Sequence, residues 1–420
     1  MMTDKAESEA CHRRSTCRLC GGTELSEVLS LAPTPPANAF VSSEQLEEMQ
    51  ETFPLDVFFC ESCHHVQLLD VVDPKILFEN YVYVSGTSPV FVKHFSEYAN
   101  FVNESFHPAE GSLVVDIGSN DGTLLNFFKE DGFQVLGIDP AKDIAAKATE
   151  NGIETMAGFF TPDLAEKILA DRGPASVITA NNVFAHIDDL SGVLAGVESL
   201  LDEHGVFVFE VSYLVDVFED TLFDTIYHEH LAYHAVGPLI GFMQAHNMEL
   251  IDARRVPSHG GSLRAVAGKK GGKRSVSESV TELVSLEESI GLHRAETYRE
   301  FGRRIDVLKT ELSSLLLRLK GDGKRIAAFG APAKATTLMY HFEIDPGLID
   351  FIVDDSPLKQ GLYSPGMHIE VVPSAAIYDR NPDYIVILAW NFAVPIMNNH
   401  AAYRESGGHF IVPLPNVEIH

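Results

Sequence analysis

The chain has 420 residues, 45% of them hydrophobic, which is enough for two or three domains with real cores. Its 31 basic and 60 acidic residues leave a net charge of −29, a field that repels polyphosphates and argues against nucleic acid as a partner. No apolar run is long enough to span a membrane, and the polar start MMTDKAESEACHRR lacks the apolar core of a secretory leader, so a soluble cytoplasmic protein is expected.

The first signal along the chain is a pair of CxxC knuckles, Cys17-Arg-Leu-Cys20 and Cys60-Glu-Ser-Cys63. Four thiolates so paired wrap one tetrahedral zinc, and four cysteines leave no open position, so the metal is expected to be structural. The stretch between the knuckles holds the Pro-rich LAPTPPANAF, reads as loop, and would not cohere without such a staple. Cys11 beside His12 is left over, while His64 and His65 stand in reserve as ligands. The bland reading is four reduced, buried thiols.

Next, LVVDIGSNDGTLLNFF (113–128) reads as strand, glycine turn and helix. Asp116 ends the strand, and Gly118 and Gly122 let the backbone approach a ligand closely. VLGIDP (135–140) gives a second strand ending in Asp139, a carboxylate placed to take the two hydroxyls of a ribose. GIETMAGFF and ASVITANNVFAHI supply a third and a fourth strand, GVFVFEVSYL a fifth, and MELIDARRVPSHGGSLRAVAGK a closing hairpin. Strands alternating with helices predict a doubly wound parallel sheet. The loop spacing is not GxGxxG, which disfavours a dinucleotide.

Between the fifth strand and the hairpin lies FDTIYHEHLAYH (223–234), with three histidines, two tyrosines, a glutamate and an aspartate. His228-Glu229 begins like a zinc-protease HExxH, but Ala232 stands where the second His belongs. His230 and His234 are four apart and would share a helix face, with no obvious third ligand nearby. Satisfied core histidines are the ordinary expectation. The company of tyrosines and a carboxylate points instead to general acid–base chemistry.

The last segment opens on a linker, KKGGKRSVSES (269–279), followed by one long amphipathic helical pattern from Ile290 to Leu319 that GDGK ends. RIAAFGAPAKATTLMYH (325–341) reads as strand, turn at Gly330 and Pro332, then helix. Its free N–H groups suit a phosphate, with Lys334 adding charge, although it is not a P-loop. Two more strands end at Asp354-Asp355 and at Trp390-Asn391. The plain alternative is an α/β domain whose glycine only turns the chain.

Taken together, the CxxC knuckles, DIGSNDG, ANNVFAHI, YHEH, HGGSLR and GAPAKATTL resemble the three-domain S-adenosylmethionine-dependent sugar C-methyltransferases of branched-deoxysugar biosynthesis, over nearly the whole chain. The resemblance implies an α/β protein with a small N-terminal zinc-binding domain (1–80), a class I methyltransferase Rossmann-like domain (81–268) and a second Rossmann-like α/β domain (269–420). It implies S-adenosyl-L-methionine as cofactor, held by Asp116, Gly118, Asn120, Asp121, Gly122, Asp139, Pro140, Asn181 and Asn182, with structural zinc on Cys17, Cys20, Cys60 and Cys63. The expected substrate is a dTDP-linked 4-keto-deoxyhexose methylated at C3 or C5. His259, Gly260, Gly330, Ala331, Lys334, Asp354 and Asn391 are expected to bind it, without nucleic acid or membrane as partner and with the chain acting as a monomer. The family's active-site residues fall on Tyr81, His186, Tyr227, Glu229 and His230.

That chemistry suits the residues. A carbon becomes nucleophilic once a proton beside a carbonyl is removed, which needs a base and a donor for the enolate oxygen. His230 is expected as base, oriented by Glu229, with Tyr227 and His186 as donors or alternates. Tyr81 is expected to close over the ligands. An O- or N-methyltransferase of a sugar or small molecule, or a zinc-knuckle interaction protein with an inactive core, remain open alternatives.

Overall fold

The computed structural model describes residues 10–78, 86 and 89–420, the side chain of His259 excepted. The expected Tyr81 lies outside the described residues.

The N-terminal segment is more than a stapled loop. β1 (Cys11–Arg13) is followed by β2 (Leu25–Thr34), β3 (Phe53–Cys60), β4 (Val66–Leu68) and β5 (Asp70–Val72). β2 and β3 pair antiparallel from Leu25↔Cys60 to Thr34↔Phe53, and β1 pairs antiparallel with β5. The Pro-rich stretch is therefore split between the end of a ten-residue strand and a short connecting loop. Apolar and aromatic residues fill β3 (FPLDVFFC), which suits a pleated surface buried along most of its length. After α1 (Pro74–Phe78), α2 (Pro89–Phe106) begins the middle segment.

The middle sheet takes β6 (Leu113–Ile117), α3 (Thr123–Glu130), β7 (Gln134–Asp139), α4 (Lys142–Glu150), β8 (Thr155–Ala157), α5 (Pro162–Arg172), β9 (Ala175–Asn181), α6 (Leu190–Leu200) and β10 (Leu201–Ser212). Then come α7 (Leu214–Glu219), β11 (Ala232–Tyr233), α8 (Val236–Ala245), β12 (Met248–Val256) and β13 (Ser262–Lys269). Seven of these strands form one sheet in the order β12-β13-β10-β9-β6-β7-β8. β10 to β8 run parallel, and the expected hairpin β12-β13 is the antiparallel edge. The strands read as near-continuous apolar runs because helices cover both faces. β11 leaves this sheet and pairs with β4, which completes a second sheet in the order β11-β4-β3-β2. The N-terminal sheet therefore borrows its fourth strand from the middle of the chain.

The helical pattern of the last segment breaks in two, into α9 (Glu278–Ile290) and α10 (Ala295–Gly321). Gly291, at φ +87°, ends α9 with its N–H on the carbonyls of Glu287 and Glu288, the left-handed stop that glycine favours. The expected apolar stripe on α10 is buried from Tyr298 to Leu319. β14 (Ile326–Phe329), α11 (Ala333–His341), β15 (Ile352–Val353), β16 (Val371–Val372), α12 (Ala376–Arg380), β17 (Tyr384–Ile387), α13 (Ala393–Asn399), α14 (Ala401–Glu405), β18 (His409–Val412) and β19 (Glu418–Ile419) complete the chain. They give a second sheet of Rossmann type, in the order β16-β15-β14-β17-β18-β19, with only β19 antiparallel.

One apolar core is continuous through all three segments, from Cys17 and Leu55 through Phe209 and Leu239 to Leu316 and Ile411. The opposite faces of the two large sheets carry smaller cores under α2–α3 and under α12–α14.

Candidate active site and metal centre

The metal centre is built by two matching turns. The N–H of Gly21 donates to the Cys17 carbonyl at 2.9 Å, and the N–H of His64 donates to the Cys60 carbonyl at 2.8 Å. Each residue after the second cysteine is left-handed, Gly21 at φ +71° and His64 at φ +66°. This folds each knuckle so that both thiols face one point. Cys17 and Cys63 Sγ lie 3.6 Å apart, as do Cys20 and Cys60 Sγ, and all four sulfurs fall within 4.8 Å of one another. A tetrahedron with metal–sulfur bonds of about 2.3 Å has edges of about 3.8 Å, so the donor set fits zinc and is far too open for disulfides. The reserve ligands are not used: His64 stacks on Phe59 at 5.7 Å, and His65 is buried against His234 at 5.5 Å.

A cleft of about 1380 Å³ opens beyond the strand ends of the seven-stranded sheet. That exceeds the roughly 300–1,000 Å³ of a single small-ligand pocket and leaves room for two ligands together. The seven-stranded sheet contributes Gly118, Asn120, Asp139, Pro140, Asn181 and Asn182 to its wall. Asp139 Oδ2 accepts from the Asn120 N–H and Oδ1 from the Ala141 N–H, both at 2.9 Å. Each oxygen keeps a lone pair for a diol. Gly118, at φ +72°, has no room for a side chain, since a Cβ would lie 2.3 Å from Val183 Cγ2. The loop and the acid thus fit the adenosine and methionine parts of S-adenosylmethionine. Asp116, Asp121 and Gly122 stand behind this wall. Asp116 accepts from Thr179 Oγ1 at 2.6 Å, and its complete burial raises its carboxyl to about 7. Asp121 accepts from the N–H groups of Gly86 and Thr123 and anchors the start of α3.

Of the three histidines in 223–234, one reaches the cleft. The segment is a turn of 3-10 helix, a bend and then β11, so His230 and His234 share no helix face. His228 is buried, with Nε2 3.1 Å from the Phe53 carbonyl, and burial pushes it down to about 4. His234 is buried on Phe184 and is pushed down to about 3. His230 lines the cleft with Tyr227, Glu229 and His186. Its Nδ1 lies 2.7 Å from the Thr225 carbonyl. A carbonyl only accepts, so Nδ1 carries a proton, and in the neutral ring the lone pair falls to Nε2. The expected orientation by Glu229 is therefore corrected: a backbone carbonyl orients this ring. Glu229 instead accepts from Asn38 Nδ2 at 2.8 Å, and burial raises its carboxyl to about 7 against the lowering effect of that amide. The His230 ring sits 4.1 Å from Tyr227 and 5.0 Å from His186 between centroids.

The C-terminal sheet contributes Lys334, Lys359 and Asn391 to the cleft, and the hairpin turn contributes Gly260. The Lys334 ammonium lies 3.8 Å above the Trp390 ring and 4.0 Å from Asp224 Oδ2, which also accepts from Trp390 Nε1 at 2.6 Å. Gly330, Ala331 and Asp354 do not line the cleft. Gly330, at φ +90°, packs on Ala389, and Asp354 braces the turn by accepting from the N–H groups of Ala331 and Ser356. The His259 side chain lies outside the described residues. Sequence reasoning missed Asn38, Asp224 and Lys359. Only Asp224 had a signal, its place in the histidine-rich dozen.

Family models cover the chain in three consecutive blocks: a zinc binding domain over residues 17–78, a methyltransferase domain over 92–252 and a C-methyltransferase C-terminal domain over 257–415. Over 403 residues, 96% of each chain, the protein is 34% identical to the C-methyltransferase NovU of Streptomyces niveus. A shorter stretch of 154 residues, 33% of this chain and 62% of the other, is 25% identical to a ubiquinone biosynthesis O-methyltransferase of Colwellia psychrerythraea. Among solved structures, the magnesium protoporphyrin IX methyltransferase of Synechocystis aligns with 43% of this chain and 83% of its own at 15% identity and a TM-score of 0.33. The matching turns of the metal centre, the glycine loop facing Asp139 and the full-length likeness to NovU converge: the chain belongs to the S-adenosylmethionine-dependent C-methyltransferases, with a four-cysteine zinc-binding domain at its N-terminus.

Proposed function

We propose that the acceptor is a nucleotide-linked 4-keto-deoxyhexose, dTDP-linked by family resemblance, methylated at C3 or C5 through an enolate. The observation that carries this reading is the His230 geometry. The Thr225 carbonyl fixes the tautomer, so Nε2 is the basic atom in a cleft it shares with the cofactor loop and Lys334. His230 Nε2 takes the proton from the ring carbon beside the ketone, and the electrons of that C–H bond pass into the enolate. The Tyr227 hydroxyl and the His186 ring are the donors at hand for the enolate oxygen. Tyr81 belongs to the same proposal by resemblance alone. The bound sulfonium supplies an electrophilic methyl group, and the chain's task is to hold the carbon in line with it. Lys334 and Lys359, beside the N-terminus of α11, suit the diphosphate of the carrier.

The test is mass spectrometry of dTDP-4-keto-6-deoxyhexose incubated with the protein in D2O, with and without S-adenosylmethionine. Deuterium uptake beside the ketone and a gain of one methyl are expected. The absence of both changes with the wild-type protein would overturn the sugar reading.

A further inference from the structure

The loop that follows β2 leaves the zinc-binding sheet and enters the cleft. It is held on several sides. The Ala37 carbonyl accepts from Thr336 Oγ1 on α11 at 3.1 Å, and Val41 bridges Tyr363 through both backbone hydrogen bonds, at 3.1 and 2.9 Å. Gln50 donates to the Ala39 carbonyl at 2.8 Å and accepts from the Gly366 N–H at 2.6 Å. Between these ties Asn38 lines the cleft, with Nδ2 donating to Glu229 Oε1 at 2.8 Å.

We propose that Asn38 is a positioning residue for the Glu229 carboxyl, so that the zinc-binding domain takes part in methyl transfer itself and is more than a scaffold. The inference rests on the resemblance that puts Glu229 among the active-site residues and on its place beside Tyr227 and His230 in the cleft wall. Glu229 is 3% exposed, and the Asn38 amide is the one side-chain hydrogen bond on its carboxyl among the described residues. A buried carboxyl without a donor turns toward another partner or holds its proton. An amide does not titrate, so Asn38 fixes the carboxyl without adding charge to the cleft. Its backbone is set from both the N-terminal and the C-terminal segments, so the position of Glu229 reports the fit of all three parts of the chain.

The experiment is a double-mutant cycle with Asn38→Ala, Glu229→Leu and the pair, read by deuterium exchange of the keto-sugar and by kcat and KM. Asn38→Ala is expected to slow exchange on the order of tenfold, with zinc content and S-adenosylhomocysteine affinity unchanged. In the Glu229→Leu background, which offers Asn38 no acceptor, the same change should have less than about a twofold effect, because the two residues act as one unit. Equal effects in both backgrounds, or no effect in either, would overturn the proposal. A second measurement needs no substrate: amide hydrogen exchange of the peptide 223–234. Faster exchange at Tyr227–Leu231 in Asn38→Ala, with the knuckle peptides unchanged, is expected. Unchanged protection there overturns the positioning role even if the sugar proves to be the wrong substrate.

Discussion

At Glu229 two effects oppose each other: burial favours the neutral carboxyl, the Asn38 amide favours the charged one, and burial wins, leaving the group at about 7. An unfolded glutamate titrates near 4.3, so between roughly 4.3 and 7 the folded chain binds the extra proton and its stability falls as pH rises. Glu229→Gln removes that slope. The variant should match the wild type near pH 4.5 and exceed it at pH 8 by up to about 3 kcal/mol, measured by urea unfolding of the cofactor-free protein at both values. A gap that does not widen with pH would refute the assignment. His230→Asn should abolish deuterium uptake by the keto-sugar while leaving S-adenosylhomocysteine affinity within about twofold, since it removes the proposed base and keeps a donor for the Thr225 carbonyl. Residual uptake above about 10% of wild type would pass the role of base to Tyr227. The density of this cluster was legible in the sequence, because seven proton-active side chains stand within one dozen residues. Its division of labour was not. Which histidine faces the cleft depends on where Phe53, Phe184 and His65 arrive from elsewhere in the chain.

Among the elements, the glycine loop after β6 was the most readable, because its requirements are local. Gly122, at φ +79°, would bring a Cβ to 2.8 Å from Ile153 Cγ2, and Gly118 would collide with Val183. Gly118→Ala therefore forces both a left-handed alanine and a displaced Val183. Calorimetry should show S-adenosylhomocysteine binding weakened by about tenfold or more, from roughly 1–2 kcal/mol of backbone strain alone. An unchanged affinity would mean that the loop yields at no cost. The helices of the last segment were half legible. The stripe on α10 follows its 3.6-residue period, but the break at Gly291 was hidden because the apolar spacing runs on across it. The pairing of β11 with β4 was not readable at all, since two residues carry no period and their partner is more than 160 positions away.

Across the whole molecule, the four-cysteine site and the cleft share one core. Cys17 and Cys60 belong to the same continuous apolar cluster as Phe209 and Leu316. Stripping zinc with a chelator should therefore lower the midpoint of a single cooperative transition rather than melt a separate N-terminal unit, and Cys60→Ser should do the same. Scanning calorimetry with two resolved transitions, the second unshifted, would contradict this. The same architecture bears on synthesis of the chain. β4 meets β11 only when residues 232–233 have left the ribosome, so until then it presents a bare edge to solvent while its cysteines are already competent to take metal. Three strands of the N-terminal sheet are thus made more than 160 residues before the fourth that completes it. A nascent chain stalled before Ala232 would leave that edge unpaired until the stretch bearing His230 arrives to close it.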